Sequence, residues 1–183
     1  MRYPTRLRLA CGLLLFLTQS AYSQTATLAG GQTTGAATKH DYLGVELHFP
    51  WKGEIWSGET LQLDLGHAFN VSGFRDENTV YAVSWAPNIT LRSRRSATTY
   101  PYLQFGFGVA WLSDDYFQSE DNNPRHTGTT DMGTHGQFVS SLTLGMNYHE
   151  FGVRARIYHY SNANLSSTND GIDVAEFGIS YRF

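Results

Sequence analysis

Residues 151–161 read "FGVRARIYHYS", and this stretch decides the fold class of the 183-residue chain. Successive side chains of a β-strand point to opposite faces. Val153, Ala155 and Ile157 form an apolar face here, and the opposite face carries Arg154 and Arg156. Such strict alternation predicts a β-strand rather than a helix. The apolar face points outward in a membrane barrel and inward in a soluble lipocalin-like barrel.

The same alternation of apolar and polar residues recurs along the chain. It predicts six further strands, at residues 41–49, 59–69, 79–91, 101–112, 136–148 and 175–183. Strands of this length cross a bilayer when they are tilted by about 45°. Because bacterial outer-membrane barrels have even strand numbers, we expect residues 24–37 to form the eighth strand. The alternative is that these small, polar residues form a disordered N-terminal tail.

The residue types on the polar faces indicate which face is inside. These faces combine glycines with charged residues, including Glu46, Asp64, Arg154, Arg156 and Arg182. Glycines and paired charges suit the crowded lumen of a small barrel, whereas an arginine facing lipid at the midplane costs about 2–4 kcal/mol. The last strand ends on Phe183, which is similar to the outer-membrane insertion signal. The sequence therefore predicts an all-β, eight-stranded antiparallel transmembrane barrel of the bacterial outer membrane, and a soluble secreted barrel is the disfavoured alternative.

The N-terminal residues have the three parts of a secretory signal peptide. Residues 1–23 combine a basic start, an apolar run too short to span a bilayer, and a small-residue cleavage site at 21–23. We expect this segment to be removed, leaving one barrel domain over residues 24–183. Cys11, the one cysteine of the sequence, lies in this segment. The mature chain would therefore have no cysteine, so neither a disulfide scaffold nor a thiol enzyme is expected.

Charge and spacing exclude several classes of function. The signal peptide carries three of the 13 basic residues, so the mature chain keeps ten against 16 acidic residues, a net charge of about −6. A chain of this charge is a poor nucleic-acid binder. His48 and His67 lack the spacing of metal ligands. We therefore predict no nucleic-acid partner, no metal and no cofactor.

The direction of the strands follows if the C-terminus is periplasmic. The outer connections are then predicted at residues 31–40, 70–78, 113–134 and 162–172. The periplasmic connections are predicted at residues 50–58, 92–100 and 149–150. The longest connection falls on the outside, as is typical of outer-membrane barrels.

Two polar residues interrupt the apolar face at the outer end of 151–161. His159 and Ser161 have the same parity as Ile157, so both are predicted to face lipid. Residues two apart on one face are about 6.6 Å apart along the strand. Asp173 begins the returning strand, and its parity turns it the same way. A serine, a histidine and a carboxylate thus converge on the outer wall near the outer leaflet, as a nucleophile, a base and an orienting acid do.

The stretch "IYHYSNANLSSTNDGID" (157–173) resembles the signature of the lipid A 3-O-deacylase (PagL) family. The resemblance is specific over about residues 152–173, and elsewhere it is a likeness of strand pattern only. It implies an eight-stranded outer-membrane barrel with a Ser-His-Glu triad on its outer surface. Such an enzyme hydrolyses the ester-linked acyl chain at the 3-position of lipid A.

The resemblance also implies a role for each matching residue. His159 is the base, Ser161 is the nucleophile, and the glutamate of the family falls on Asp173, which is one methylene shorter. This departure leaves the orientation of His159 and the level of activity open. Glu176 is a substitute acid, but its parity points it into the lumen. Asn162 and Asn169 also match the motif, and they either donate to the oxyanion or shape the loop as turn-forming asparagines.

The sequence thus predicts a serine esterase of the bacterial outer membrane that needs no cofactor and has its active site at the outer leaflet. Its predicted substrate is lipid A of lipopolysaccharide, and outer-membrane lipids surround it. Two alternatives stay open: a family member with another lipid ester as substrate or with lost activity, and a non-enzymatic structural barrel. The sequence does not decide the acyl-chain preference, nor whether the protein is a monomer or a homodimer.

Overall fold

The computed structural model describes residues 24–34, 38–119 and 128–183. The predicted signal peptide, residues 1–23, lies outside them. The described part forms ten β-strands: β1 (Thr25–Thr34), β2 (Asp41–Ser57), β3 (Leu61–Arg75), β4 (Thr79–Ser93), β5 (Thr99–Leu112), β6 (Tyr116–Ser119), β7 (Gly128–Asp131), β8 (Gly136–Tyr148), β9 (Phe151–Ser161) and β10 (Ile172–Arg182). Within those residues, no helix has the length and apolar character needed to cross a membrane.

Eight of these strands close into an antiparallel barrel. The order of neighbouring strands is β1-β10-β9-β8-β5-β4-β3-β2, and β2 returns to β1. The barrel closes where the first strand, β1, pairs with the last strand, β10. This pairing runs from Thr25 opposite Arg182 to Thr34 opposite Asp173. The predicted eight-stranded barrel is therefore confirmed. The eighth strand predicted at residues 24–37 is present as β1, which covers Thr25–Thr34. Residues 35–37 of the predicted segment lie outside the described residues.

The two faces of the barrel wall are oriented as the alternation predicts. Leu144 and Phe177 on the outer face are 64% and 76% exposed, whereas Glu46 and Arg156 on the inner face are 2% and 4% exposed. An apolar exterior around a charged interior is the reverse of a soluble barrel. The wall therefore has a surface that lipid can cover.

Charged residues from three strands fill the lumen and pair with one another. Arg154 Nη2 donates to Glu176 Oε1 at 2.9 Å, and Arg156 Nη2 donates to Glu46 Oε1 at 2.9 Å. Arg154 also pairs with Glu46, which thereby lies between the two arginines. Buried charges are tolerated only where partners of opposite sign compensate them. This network therefore links β2 to β9 and β9 to β10 from inside.

Replacing Glu46 with alanine is expected to destabilise the barrel by about 3–5 kcal/mol, because two buried guanidinium groups lose a partner. Urea unfolding of the protein folded into lipid vesicles measures this loss. Asp64→Ala is the matched control, since the Asp64–Arg92 pair is 20–28% exposed and a solvated pair contributes up to about 1 kcal/mol. Equal losses in the two variants would contradict the assignment of the lumen network as a main source of stability.

A second, two-stranded sheet covers the outer end of the lumen. Strands β6 and β7 pair as a hairpin inside the segment predicted as one long connection, 113–134. Phe117 of this hairpin is buried, with its ring centroid 5.3 Å from that of His40 and 5.5 Å from that of Phe74. The hairpin thus adds an apolar cap above the charged lumen, which strand periodicity alone did not predict.

Five barrel strands, β2, β3, β4, β5 and β10, are longer than predicted, and β2 and β3 differ most. Strand β2 continues to Ser57 and β3 continues to Arg75. The predicted connections 50–58 and 70–78 are correspondingly shorter, because the pairing of β3 with β4 continues until Arg75 lies opposite Thr79. The extension of β2 and β3 lengthens the wall at both ends, and β10 begins at Ile172, three residues before the predicted start of the last strand.

Candidate active site

Adjacent strands bring two of the predicted site residues into contact. Asp173 of β10 lies directly opposite His159 of β9, and His159 Nδ1 is 2.8 Å from Asp173 Oδ1. Both side chains are about half exposed, at 51% and 48%, on the outer wall. When Nδ1 carries the hydrogen, it donates to the carboxylate and leaves a lone pair on Nε2. The pair therefore has the arrangement of an oriented base.

Ser161 is the last residue of β9 and lies on the same face as His159, two positions further along the strand. The residue is half-buried. In the described part of the chain, no hydrogen bond joins His159 to Ser161. Catalytic hydrogen bonds are often long without substrate and tighten when it binds. The structure thus brings the base and the acid together and leaves the serine beside them.

The connection between β9 and β10, residues 162–171, is held by two of its three asparagines, Asn162 and Asn169. Asn162 is buried, and its Nδ2 donates to Met132 O at 2.8 Å and to Thr168 O at 2.7 Å. Asn169 Oδ1 accepts from Asn162 N at 2.9 Å. Because both amide hydrogens of Asn162 are already donated within the loop, its geometry favours support of the loop over donation to an oxyanion.

The backbone turns sharply just after Ser161. Ala163 and Asn164 have φ angles of 54° and 62°, in the left-handed region that non-glycine residues seldom adopt. Such conformations cost of order 1–3 kcal/mol each and cluster at functional sites. Leu165 N donates to Asn162 O at 3.1 Å and closes the turn. The strained turn therefore fixes the path of the chain directly beside the serine.

Gly171 ends the same loop and leaves room for the imidazole. Its φ is 69°, and a Cβ at this position would lie 3.3 Å from His159 Cε1 and 3.4 Å from Tyr160 O. Both the left-handed backbone and the close approach favour glycine here. Sequence reasoning did not single out this residue, although it lies within the quoted motif between Asn169 and Asp173.

The outer hairpin braces the site loop from the side. Asp131 N donates to Asp170 Oδ2 at 2.9 Å, and Asp170 N donates to Asp131 O at 3.2 Å. The connection between β7 and β8 also supplies the Met132 carbonyl that Asn162 binds. The loop that follows Ser161 is thus fixed by residues 30 to 39 positions earlier in the chain, a support that local sequence did not reveal.

Strand β8 lines the other side of the site. Its lipid-facing residues include Phe138, which lies opposite Ser161, and Ser140, which lies opposite His159. The ring of Phe138 stacks on that of Phe107, with centroids 6.1 Å apart and planes 11° apart. An apolar shelf of two aromatic rings therefore adjoins the half-buried serine.

The second carboxylate considered from the sequence faces away from the site. Glu176 is 1% exposed and accepts from Arg154 inside the lumen. Asp173 is consequently the carboxylate in contact with His159. Over residues 24–34, 38–119 and 128–183, no group of three His, Cys, Asp or Glu side chains is placed to hold a metal ion.

Comparison with protein families matches residues 41–182, well over half of the chain, to the model of the lipid A 3-O-deacylase (PagL) family. Comparison with curated protein sequences gives no match. Among solved structures, the crystal structure of the outer membrane enzyme PagL aligns with a TM-score of 0.73 at 21% identity, over 86% of this chain and 98% of that one.

Two other solved barrels share the architecture more distantly. The N-terminal β-barrel domain of Pseudomonas aeruginosa OprF aligns with a TM-score of 0.53 at 12% identity, over 88% of this chain and 97% of that one. Neisserial surface protein A aligns with a TM-score of 0.53 at 10% identity, over 90% and 98% of the two chains. At these identities the three structural likenesses establish the fold.

Proposed function

The chain belongs to the lipid A 3-O-deacylase (PagL) family of outer-membrane β-barrel enzymes, and we propose that it is a serine esterase acting at the outer leaflet. It hydrolyses the ester that links an acyl chain to the 3-position of lipid A. The observation that carries the proposal is the 2.8 Å contact between His159 and Asp173 on the lipid-facing wall, with Ser161 next on the same face. A structural barrel has no need of this polar group in contact with lipid.

The proposed reaction passes through an acyl-enzyme. Ser161 Oγ attacks the ester carbonyl while His159 Nε2 takes its proton, and Asp173 holds the imidazole and stabilises the imidazolium. The tetrahedral intermediate collapses, and the sugar oxygen leaves with the proton from His159. Water, deprotonated by His159, then attacks the acyl-serine, which releases the fatty acid and restores the serine hydroxyl.

The oxyanion needs donors that the loop is not already using. The amide hydrogens of Asn162 are committed to Met132 O and Thr168 O. Asn169 Nδ2, by contrast, donates at 3.1 Å to the exposed Asn164 Oδ1, a partner that a substrate oxygen can replace. We therefore assign Asn162 to loop support and Asn169, with backbone N–H groups of the loop, to the oxyanion.

Access to this site is from the membrane. The substrate's acyl chains already lie in the bilayer, so lipid A reaches the wall by lateral diffusion without leaving the membrane. Phe138 and Phe107 offer an apolar contact beside Ser161. Their aromatic surface is suited to the acyl chains, while the polar loop at 162–171 lies on the side of the sugar.

A second candidate function is supported by one departure from the family. Asp173 stands where the family has glutamate, which leaves open a related lipid ester as the substrate. The shorter acid nevertheless reaches the imidazole, at 2.8 Å. Lipid A of the usual structure is therefore the first substrate to test, and other membrane lipid esters follow.

The test is to express the protein in a host with ordinary lipid A and weigh the extracted lipid A by mass spectrometry. We expect the loss of one hydroxyacyl chain relative to the host with an empty vector. A fluorophosphonate ester should also label the folded protein at Ser161, as mapped by peptide mass. Unchanged lipid A in the presence of a folded barrel, shown by heat-modifiable gel mobility, would rule out deacylation of that lipid.

Replacing Gly171 with alanine should lower kcat about 10²-fold, the effect of misplacing a catalytic group by about 1 Å. The added methyl group would press on His159 and strain a left-handed backbone. KM should change little, because Gly171 adjoins the base rather than the lipid. Gly136→Ala is the matched control, since nothing lies within 4 Å of the added Cβ. Similar activities in the two variants would contradict a positioning role for Gly171.

A further inference from the structure

Ser140 is a polar residue on the lipid-facing wall for which the proposed reaction has no use. It lies on the outer face of β8 between Phe138 and Leu142, and it is half-buried. None of the hydrogen bonds among the described residues involves its hydroxyl. A hydroxyl that faces acyl chains meets less water than one in the outer loop, so leaving it without a partner is unfavourable. Its position therefore points to a partner supplied by the ligand.

Ser140 is placed beside the path of a bound acyl chain. It lies directly opposite His159, while its neighbour Phe138 lies opposite Ser161. Ser140 is thus the diagonal neighbour of Ser161, at a separation of about 7–8 Å. Because β9 runs toward the outer end of the barrel, the row of Ser140 and His159 is two residues closer to the membrane centre than Ser161. An acyl chain attached at Ser161 and entering the bilayer passes this row.

We propose that Ser140 hydrogen-bonds a hydroxyl group on the acyl chain, two carbons from the scissile carbonyl, and so selects 3-hydroxyacyl esters. This inference rests on the proposed function, because it takes Ser161 as the attachment point. The serine side chain, the ester and the first two chain carbons bridge the distance between Ser161 and Ser140. Deeper on the same face lie the apolar residues Leu142 and Leu144, so a hydroxyl further along the chain would meet no polar partner there.

A different role for Ser140 makes a different prediction. If its hydroxyl served to hold His159, it would assist the reaction of every ester equally. If it binds the substrate hydroxyl, its loss affects only substrates that carry that group. The ratio of activities on two esters therefore separates selection of the substrate from support of the base.

The experiment uses the full-length protein folded in detergent micelles and two glucosamine esters that differ in one group, 3-hydroxymyristoyl and myristoyl. The wild-type protein should prefer the hydroxylated ester by about tenfold in kcat/KM, as one hydrogen bond allows. In Ser140→Ala this preference should fall close to one, and Ser140→Thr should restore it. Ser141→Ala is the matched control, because Ser141 faces the lumen beside Gly106, and it should keep the wild-type preference.

The outcomes separate this inference from the function on which it rests. If the wild-type protein hydrolyses both esters without preference, or if Ser140→Ala slows both equally, the inference is overturned and the esterase stands. If the folded wild-type protein hydrolyses neither ester and leaves lipid A intact, the proposed function fails and the selection by Ser140 fails with it. A preference that survives in Ser140→Ala also overturns the inference.

Discussion

Replacing Ser161 with alanine is expected to lower the rate of acyl release from lipid A by about 10⁶-fold, the loss seen when a triad nucleophile is removed. Alanine has no oxygen to form the acyl-enzyme, and the His159–Asp173 pair cannot substitute for it. The barrel itself should fold normally, because Ser161 ends a strand and lies outside the lumen network. Single-turnover release of fatty acid from purified lipid A measures the effect.

Ser167→Ala is the matched control for this loss. Ser167 is an exposed serine in the same outer loop, and its replacement should leave the rate within about twofold, as expected for a surface substitution away from structural features. A Ser161→Ala variant that kept a substantial part of the activity would exclude the acyl-enzyme. His159 would then act as the base for direct attack by water, and the fluorophosphonate would not label Ser161.

The fold was predictable because the charged residues of β9 all lie on one face of the strand. Arg154 and Arg156 occupy alternate positions, and only an inward face lets both find partners in a barrel surrounded by lipid. The partners, Glu46 and Glu176, have the same even parity on their own strands. Once the inside was fixed, a two-residue periodicity assigned the remaining side chains of each strand to lipid or lumen.

The first strand was harder to recognise, and its glycines explain why. A Cβ on Gly31 would collide with the carbonyl oxygen of Ala175 on the neighbouring β10. The close approach of β1 and β10 requires a glycine, and glycine weakens the apolar alternation that marks a strand. The prediction of β1 therefore rested on the even number of strands in outer-membrane barrels, rather than on the local pattern of residues 24–37.

The outer hairpin and its support of the site were not predictable from local sequence. Met132 O accepts from Asn162 across about 30 residues of chain, and nothing in either segment signals the contact. Gly171 was recognisable in principle, since a glycine within the quoted motif suggests a left-handed backbone or a close approach. Its contact with His159 depends on how the loop closes, which only the structure gives.

The position of Ser140 could have been derived from one turn. The predicted two-residue connection at 149–150 pairs Tyr148 with Phe151, and a hairpin turn of this length fixes the register of both strands. Counting back along β8 and forward along β9 then places Ser140 opposite His159. The alternation within each strand predicts which side chains face lipid, but it does not by itself predict which residues of neighbouring strands lie opposite each other.

Replacing Asp173 with asparagine is expected to lower the rate of acyl release by about 10⁴-fold, as loss of the triad carboxylate does. The asparagine side chain can still contact His159, but it brings no negative charge to stabilise the imidazolium, and its amide group can hold the wrong tautomer. The same assay of fatty acid release measures the loss. Asp170→Asn is the control, because an amide oxygen can still accept from Asp131 N, and this variant should retain nearly full activity.

Asp173→Glu tests the departure from the family in the same assay. If the shorter side chain already orients His159 fully, as its 2.8 Å contact suggests, the glutamate variant should stay within about tenfold of wild type, a difference of about 1.4 kcal/mol in transition-state stabilisation. A much larger gain would mean that aspartate holds the imidazole poorly and that this chain is a weakened esterase. Full activity in Asp173→Asn would remove the carboxylate from the mechanism and leave His159 to act without an orienting acid.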